Sequence, residues 1–383
     1  MSLVKSHENR LLLETVQAFM KAELHPHEDL VDKLGEVPLE IGRQIEKRAH
    51  EAGLYAANLP EEVGGGGLSL EAKTIMEREF GKTSHALHSW VARPTEILLA
   101  CQGDQVERYL LPCVSGAKRE LFALTEPEAG SDAASLRTTA IRDGNVYVVN
   151  GTKRYITNAA KAGAFTLMAR TNPHNKGAGG ISAFFVPSTL KGITVGKPEK
   201  KMGQQGAHIH DVIFENCEIP AECLIGEREG EGFKLAMQVL DRGRIHIAAV
   251  CVGVAERLVR DSTLYALERE QFGERIANFQ MVQAMLADSK TEAYAARCMV
   301  LETARKRDAG QSVAMEASCC KLFASEAVGR IADRNVQIHG GAGYVADYAA
   351  ERFYRDVRIF RLYEGTSQIQ QTVIAKNMLR NAG

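Results

Sequence analysis

The sequence lacks a segment that could cross a membrane, and it lacks an excess of charge of either sign. Its longest mainly apolar stretch, residues 245–255, is much shorter than the roughly 20 residues that a transmembrane helix needs. The formal net charge is -1, so nothing indicates a polyanionic partner. We therefore expect a soluble globular protein with no membrane span and no nucleic-acid partner.

A secretion signal is also missing from the N-terminus. Residues 1–24 contain only three consecutive leucines and carry charges at Lys5, Glu8 and Arg10, unlike the apolar core of a signal peptide. The eight cysteines include no C-x-x-C pair, which favours free thiols in a reducing compartment. These features predict a bacterial cytoplasmic protein, although a processed protein of the mitochondrial matrix would share them.

The apolar pattern divides the chain into three parts. Intervals of three and four residues predict helices from residue 8 to about 111 and again from 230 onward. Between about 121 and 224, short β-branched and aromatic runs predict strands, with hairpin turns at Asp143-Gly144 and Asn150-Gly151. We predict an α+β, mainly α, multidomain protein with an N-terminal helical domain (1–118), a middle β domain (119–228) and a C-terminal four-helix-bundle domain (229–383).

An arginine interrupts the apolar face of one predicted helix. The apolar face of this helix comprises Phe233, Met237, Leu240, Ile247, Cys251, Val254 and Leu258. Arg244 falls in the middle of it, where an unpaired charge would be costly to bury. Arg244 therefore either pairs with a carboxylate such as Asp241 or meets an anionic ligand.

A carboxylate precedes the last predicted helix. Glu364 is followed by Gly365 and by Thr366, which can cap that helix, so the first backbone amides of the helix would face an approaching ligand. The local pattern alone favours a capping or surface role for Glu364. The wider context of the chain changes that interpretation.

Two pairs of histidines do not complete a metal-binding motif. His85 and His88 could share one face of a helix, and His208 and His210 one face of a strand. Neither pair has an H-E-x-x-H pattern or a third ligand. We therefore predict no metal site.

Five separated stretches together resemble the acyl-CoA dehydrogenase family in order and spacing. They are Leu124-Thr125-Glu126-Pro127-Glu128-Ala129-Gly130-Ser131-Asp132, Asn150-Gly151-Thr152-Lys153-Arg154-Tyr155-Ile156-Thr157-Asn158, Arg269-Glu270-Gln271-Phe272-Gly273 with Gln280, Gln337-Ile338-His339-Gly340-Gly341, and Tyr363-Glu364-Gly365-Thr366. The resemblance implies the acyl-CoA dehydrogenase fold and an FAD-dependent oxidoreductase of fatty-acid or amino-acid catabolism. It also implies a homotetramer or homodimer and an electron-transferring flavoprotein as acceptor.

The resemblance also implies which residues hold FAD. Those expected around the isoalloxazine are Phe122, Leu124, Thr125, Gly130, Ser131, Tyr155, Ile156 and Thr157, joined by Thr366 and Gln368 from the last helices. Those expected at the pyrophosphate and adenosine are Arg269, Gln271, Phe272 and Gln280 of one subunit with Gln337, Gly340 and Gly341 of another. FAD binding should therefore depend on oligomerisation.

The implied reaction is α,β-dehydrogenation of an acyl-CoA thioester to the trans-2-enoyl-CoA. Glu364 would remove the α-proton while hydride passes from Cβ to flavin N5, and the backbone N–H of Glu364 would help to stabilise charge on the thioester oxygen. The residues expected to contact the substrate are Ser131, Asp241, Arg244, Tyr363 and Gly365. Arg244 thereby gains a ligand as the favoured partner.

Some positions depart from the family pattern. Isovaleryl and long-chain types carry the base at the position of Gly243, which has no side chain here, so Glu364 is the expected base. Tyr155 replaces a frequent tryptophan beside the flavin, which leaves the electron acceptor less certain. An acyl-CoA oxidase that passes electrons to oxygen and a non-catalytic acyl-CoA-binding protein remain the alternatives.

The helix expected to line the acyl pocket, residues 84–94, is unusually polar. Its side chains could narrow the pocket, meet a polar acyl terminus, or face solvent or another subunit; they are His85, His88, Trp90 and Arg93. A glutaryl-CoA type of enzyme would need an arginine near Ser84, which disfavours that substrate. The run Gly243-Arg244-Ile245 favours a small acyl group.

Overall fold

The computed structural model describes residues 6–382, apart from the side chains of residues 241, 381 and 382, and it begins with a helical part. The helices of this part are α1 (His7–Phe19), α2 (Glu28–Leu34), α3 (Leu39–Glu51), α4 (Leu70–Phe80), α5 (His85–His88) and α6 (Leu111–Val114). Helix α4 begins at Leu70 because the hydroxyl of the preceding Ser69 caps it by accepting the backbone N–H of Ala72 (3.1 Å). The predicted helical N-terminal part is confirmed.

The middle part is a seven-stranded sheet. Its strands are β1 (Glu120–Ala123), β2 (Thr139–Asp143), β3 (Val146–Thr157), β4 (Ala164–Arg170), β5 (Ile181–Pro187), β6 (Ile193–Val195) and β7 (Ile209–Pro220). The strand order is β1-β4-β2-β3-β7-β6, and β5 pairs with β4. Gly144 has a φ of 57° and closes the β2–β3 hairpin, so the turn predicted at Asp143-Gly144 is confirmed.

The hairpin predicted at Asn150-Gly151 is wrong, because both residues lie inside β3. The pairing of β3 with β7 shifts register between Val149 and Gly151, which marks a β-bulge. Gly151 has a φ of 148°, and a Cβ there would lie 2.5 Å from the Thr138 hydroxyl oxygen. The glycine therefore allows Thr138 to approach the β3 backbone closely. Across the β3–β7 pairing, Asn150 donates to Asn216 Oδ1 and accepts the backbone N–H of Asn216.

The C-terminal part is again helical. It contains α7 (Gly232–Glu268), a hairpin of β8 (Glu270–Gln271) and β9 (Glu274–Arg275), α8 (Gln280–Asp308), α9 (Ala314–His339), α10 (Ala350–Asp356) and α11 (Ser367–Ala382). Helix α9 contacts α7, α8 and α11, and α4 also packs on α7. The predicted helix–sheet–helix architecture is confirmed, whereas its boundaries at 118 and 228 stay predictions.

Within residues 6–382, no helix has the length and apolarity needed to span a bilayer.

Helix α7 sets the distance between two regions of the molecule. Its first turn lies against β5, its middle packs on α4, and its last turn reaches the β8–β9 hairpin. At 1.5 Å per residue, about 38 Å of helix separate Gly243 from Glu268. Groups near residue 243 and groups near residue 268 therefore cannot contact one small ligand within a single chain.

Candidate active site

Glu364 lies immediately before α11 in a backbone conformation that few residues with side chains adopt. Its φ is 54°, and that of Gly365 is 85°. Two side chains buried between the helices hold this turn: Gln370 donates to the carbonyl oxygens of Glu364 and Gly365 (3.0 Å each), and Lys321 Nζ donates to that of Gly365 (2.6 Å). Such conformations persist where the surroundings enforce them, which is common at functional sites.

The Glu364 carboxyl group faces Gly243 of α7. A Cβ built on Gly243 would lie 2.7 Å from Glu364 Oε2. The expected base therefore occupies the space in front of Gly243, the helix position at which the resemblance places the base of the isovaleryl and long-chain types. Burial raises the pKa of Glu364, against the opposing effects of His246, Lys321 and Arg244.

Sequence reasoning missed Lys321 and Gln370. Lys321 is fully buried on α9 among small side chains such as Ala317 and Ala324, and burial lowers its pKa to about 8 although Cys251 and Glu364 oppose that effect. A lysine in line with the buried Ala317 and Ala324 on one face of α9 was the available signal. The sequence gives no comparable signal for Gln370, which follows the recognised motif on α11.

The two stretches predicted to line the flavin lie side by side at the sheet. The backbone N–H of Arg154 donates to the carbonyl oxygen of Thr125 (2.8 Å), which brings the end of β3 against the segment after β1. Tyr155 has a φ of 60° and is 55% exposed, and Thr157 is exposed as well. An exposed aromatic ring and a hydroxyl group beside strand backbone suit one edge of an isoalloxazine ring, so these residues fit FAD.

The remaining residues of this predicted set lie close to the same two stretches or at α11. Phe122 is partly buried on β1, and Leu124 and Ile156 are buried beside it, whereas the loop residues Gly130 and Ser131 are exposed. At α11, the Thr366 hydroxyl accepts the backbone N–H of Ile369 (3.2 Å), so the predicted threonine cap is confirmed. Gln368 is exposed on the first turn of α11.

A buried ion pair supports the flavin-lining stretches from behind. Lys153 is 0% exposed and donates to Glu126 Oε1 (2.7 Å) and to the carbonyl oxygen of Leu124 (3.0 Å). Glu126 also accepts the backbone N–H groups of Arg137 (2.6 Å) and Thr138 (3.0 Å). The pair thus ties β3, the segment after β1 and the start of β2 together.

The residues predicted for the pyrophosphate and adenosine lie at the far end of the C-terminal part. All of them are exposed: Arg269, Gln271, Phe272, Gln280, Gln337, Gly340 and Gly341. Ala266, Ile276 and Ile338 pack together and hold the β8–β9 hairpin beside the end of α9. Phe272 is 97% exposed with a φ of 56°. One chain therefore gathers this set in one place, at the end of α7 that lies about 38 Å along the helix from Gly243, which faces Glu364.

The residues predicted to bind the substrate divide into three groups. Tyr363 and Gly365 flank Glu364, and Arg244 follows Gly243 on α7, so all three lie near the carboxyl group. Ser131 lies in the exposed loop after β1. Asp241 is on α7, but its side chain lies outside the described residues, so its contact with a ligand stays a prediction.

The polar residues around α5 do not all face solvent. His88 and Trp90 are buried within the chain, and His85 and Arg93 are partly buried. Trp90 packs over Gly42 of α3, with the Arg119 guanidinium 4.4 Å from its ring centre. Trp90 thus belongs to the packing of the N-terminal helices, whereas the two histidines and Arg93 lie towards α4 and α7.

A sheet with an exposed aromatic edge and a half-buried carboxylate thus lie in a chain whose two helical parts flank a β part. Family models identify the class. They match the acyl-CoA dehydrogenase N-terminal domain at residues 6–117, the middle domain at 121–217 and the C-terminal domain at 230–379. The chain belongs to the acyl-CoA dehydrogenase family, whose members are oxidoreductases that act on acyl-CoA with FAD, and the predicted family and cofactor are confirmed.

Individual relatives are similar over nearly the whole chain. The caffeyl-CoA reductase-Etf complex subunit CarC of Acetobacterium woodii is 39% identical over 98% of this chain and 99% of its own length. The human mitochondrial short-chain specific acyl-CoA dehydrogenase is 40% identical over 97% of this chain and 90% of its own. The Bacillus anthracis acyl-CoA dehydrogenase solved in complex with FAD is 32% identical with a TM-score of 0.90, covering 98% of this chain and 68% of that one.

Proposed function

We propose that the protein catalyses α,β-dehydrogenation of a small acyl-CoA thioester to the trans-2-enoyl-CoA, with Glu364 as the base that takes the α-proton. The observation that carries this proposal is the half-buried Glu364 carboxyl group held against Gly243 by an enforced turn. A carboxylate whose pKa is raised by burial is a stronger base than one in water. FAD, when bound, supplies the redox chemistry by accepting the hydride from Cβ at N5.

The backbone around Glu364 has a role besides holding the base. We propose that its N–H donates to the thioester carbonyl oxygen, where negative charge develops as the α-proton leaves. The bonds from Gln370 and Lys321 to the carbonyl oxygens of Glu364 and Gly365 fix the orientation of these peptide groups. The same contacts therefore position both the Glu364 carboxylate and the Glu364 backbone N–H that would donate to the thioester oxygen.

We further propose that each FAD is held by two subunits of a homotetramer or homodimer. One chain would supply the sheet edge with Thr125, Tyr155 and Thr157, and another would supply the exposed end of the bundle with Arg269 and Gln337. The length of α7 supports this, because about 38 Å of helix separate Gly243, which faces Glu364, from Glu268, which precedes Arg269. The almost fully exposed Phe272 also fits a surface that a second subunit covers.

Relatives of nearly equal sequence identity to this chain are named for opposite directions of the reaction. A caffeyl-CoA reductase subunit and a short-chain acyl-CoA dehydrogenase are 39% and 40% identical to this chain. In reduction, Glu364 would return a proton to Cα. We propose an electron-transferring flavoprotein as the redox partner in either direction, supported by the Etf complex of the Acetobacterium relative.

The test of the proposed function is an anaerobic titration of the purified protein with a series of saturated acyl-CoAs. Bleaching of the main flavin absorbance band by one class of acyl chain is the expected result. A coloured protein that no acyl-CoA bleaches would contradict the proposal. A colourless protein that cannot be reconstituted with FAD would favour a non-catalytic acyl-CoA-binding role instead.

A base moved to α7 is expected to restore part of the activity of a Glu364→Gln variant. Because a side chain at position 243 would point at the Glu364 carboxyl group, the Gly243→Glu, Glu364→Gln double variant places a carboxylate in the same space. We expect its rate of flavin reduction to exceed that of Glu364→Gln by about 10-fold or more. The Gly243→Gln, Glu364→Gln variant is the matched control, and equal rates in both doubles would contradict the geometry.

The rate of flavin reduction is expected to fall as the pH is lowered. The fall should begin at a higher pH than an ordinary glutamate would give. Glu364 accepts a proton only when ionised, and burial raises its pKa above the ordinary 4.5. Acidification through the raised pKa therefore removes the active base. Anaerobic stopped-flow measurements at saturating acyl-CoA check this, and the residual rate of Glu364→Gln should lack the same pH dependence.

A further inference from the structure

A histidine and a buried carboxylate form a pair beside Glu364. His246 follows Gly243 by three residues, so it lies on the same side of α7 as the Glu364 carboxyl group. Its Nδ1 atom is 3.4 Å from Oε2 of Glu77 on α4. Glu77 is only 3% exposed and also accepts two bonds from the guanidinium group of Arg93, of which that from Nη2 is 2.7 Å. The contact with Glu77 thus uses Nδ1 of His246 and leaves Nε2 for other contacts.

The position of His246 on α7 brings its ring within reach of Glu364. A Cβ built on Gly243 would lie 2.7 Å from Glu364 Oε2, and Cβ atoms three positions apart on a helix are about 5–6 Å from each other. An imidazole nitrogen at position 246 can therefore meet the carboxyl group directly or through one water molecule. The electrostatics agree with this placement. Burial raises the pKa of Glu364, and His246 has the largest effect among the side chains that oppose it.

Other titratable side chains near His246 already have a settled protonation state. Burial would raise the pKa of Glu77, but Arg93 and His246 lower it to about 2, so Glu77 stays ionised. Burial is the largest cause that lowers the pKa of His85, to about 3, and that of His88, so these two imidazoles stay neutral. Neither Glu77 nor the α5 histidines therefore compete with His246 for a proton near neutral pH.

The two cations beside Glu364 are not suited to carry its proton. The guanidinium group of Arg244 does not give up a proton in proteins. Lys321 is fully buried, and its Nζ donates to the carbonyl oxygen of Gly365 (2.6 Å). The side chain of His246, in contrast, is 31% exposed, and histidine gains and loses a proton more readily near neutral pH than other side chains do. His246 thus lies between the carboxyl group and water.

We propose that His246 carries the proton between Glu364 and water. This inference rests on the proposed function, because it takes Glu364 as the base. After Glu364 has taken the α-proton, its O–H bond breaks and an N–H bond forms at Nε2 of His246. The Glu77 carboxylate stabilises the imidazolium, which then releases the proton to water, and no electrons move in this step. In the reducing direction the same atoms bring a proton to Glu364, so His246 acts through the base and need not touch the acyl group.

Deuterium exchange at Cα, compared with flavin reduction, tests this proposal on the holoenzyme. In heavy water an acyl-CoA gains deuterium at Cα only if Glu364 exchanges its proton with solvent before it returns one to the same carbon. Flavin reduction in a single turnover needs only that Glu364 be ionised. Mass spectrometry of the recovered acyl-CoA gives the first rate, and anaerobic stopped-flow absorbance gives the second. The ratio of the two rates therefore reports the step assigned to His246.

Two variants remove the proton carrier but keep polar contacts at its position. His246→Asn keeps a polar atom near Nδ1, which faces Glu77, and His246→Gln keeps one near Nε2, but neither amide takes up a proton. We expect the ratio of exchange to flavin reduction to fall by about 10-fold or more in both. The His174→Asn variant, on an exposed loop, is the matched control and should keep the native ratio. One His246 variant that retains FAD is enough for the comparison, and a native ratio in it would overturn the proposal.

The same two rates separate this proposal from the proposed function. If no acyl-CoA reduces the flavin of the native protein or gains deuterium on it, the dehydrogenase proposal fails. If the native protein does both and a His246 variant keeps the native ratio, the proton carrier fails alone. An equal loss of both rates in the variants also keeps the ratio, and it would assign His246 a structural role.

Discussion

Replacing Glu364 with glutamine is expected to lower the rate of flavin reduction by an acyl-CoA by about 10³- to 10⁴-fold. The amide keeps the size of the side chain but cannot accept the α-proton. The turn should survive, because Gln370 and Lys321 bond to carbonyl oxygens of the backbone and not to the carboxyl group. The measurement is anaerobic stopped-flow absorbance with the acyl-CoA that bleaches the native protein best.

The matched control is Glu326→Gln, a nearby carboxylate that accepts a hydrogen bond from Ser367 (2.6 Å) but does not face Gly243. It should retain most of the native rate. Calorimetry must show that Glu364→Gln still binds the thioester, so that the lost rate reflects proton transfer. A native rate in Glu364→Gln would remove this residue as the base.

The second large effect is expected on stability, from Lys153→Met. Methionine leaves Glu126 buried without its cation, and breaking a buried pair in this way costs about 3–5 kcal/mol of unfolding free energy. Burial lowers the pKa of Lys153 to about 8, and Glu126 opposes that effect, so the two side chains depend on each other. Thermal unfolding of the holoenzyme at fixed protein concentration should show a clearly lower midpoint.

A double variant shows whether the charge or the packing is responsible. In Lys153→Met, Glu126→Gln no unpaired charge remains, so part of the lost stability should return. The exposed pair of Arg108 and Glu222 gives a comparison, since Arg108→Met at the surface should change stability by less than about 1 kcal/mol. Equal destabilisation by the Lys153 single and double variants would assign the effect to packing alone.

Most of the fold followed from periodicity, and the exceptions have identifiable causes. Strands were predicted as a region between about residues 121 and 224, and within that region every residue of β4 (Ala164–Arg170) is buried. A strand covered on both faces shows no alternation, so its pattern carries no signal. At Asn150-Gly151 the local pattern was present but the prediction from it was wrong. This pair is typical of hairpin turns, whereas here it forms a β-bulge inside β3.

The candidate site was predictable only where its residues lie in contiguous motifs. Glu364 and Thr366 stand in one short run, and Tyr155 and Thr157 in another. The supports of Glu364 come from Lys321 on α9 and from the neighbourhood of His246 on α7, which are far apart in the chain. Contacts between distant helices depend on how the helices pack, and a single sequence does not encode that packing in any local pattern.

The length of α7 also bears on how this protein can change over time. If two subunits share each FAD, the sheet edge of one chain and the β8–β9 hairpin of another form one binding site. Both parts are encoded by the same gene. A substitution near Arg269 would then be felt by the flavin beside Tyr155 of a neighbouring copy. Positions that never meet in one molecule would be selected together, as if they were neighbours.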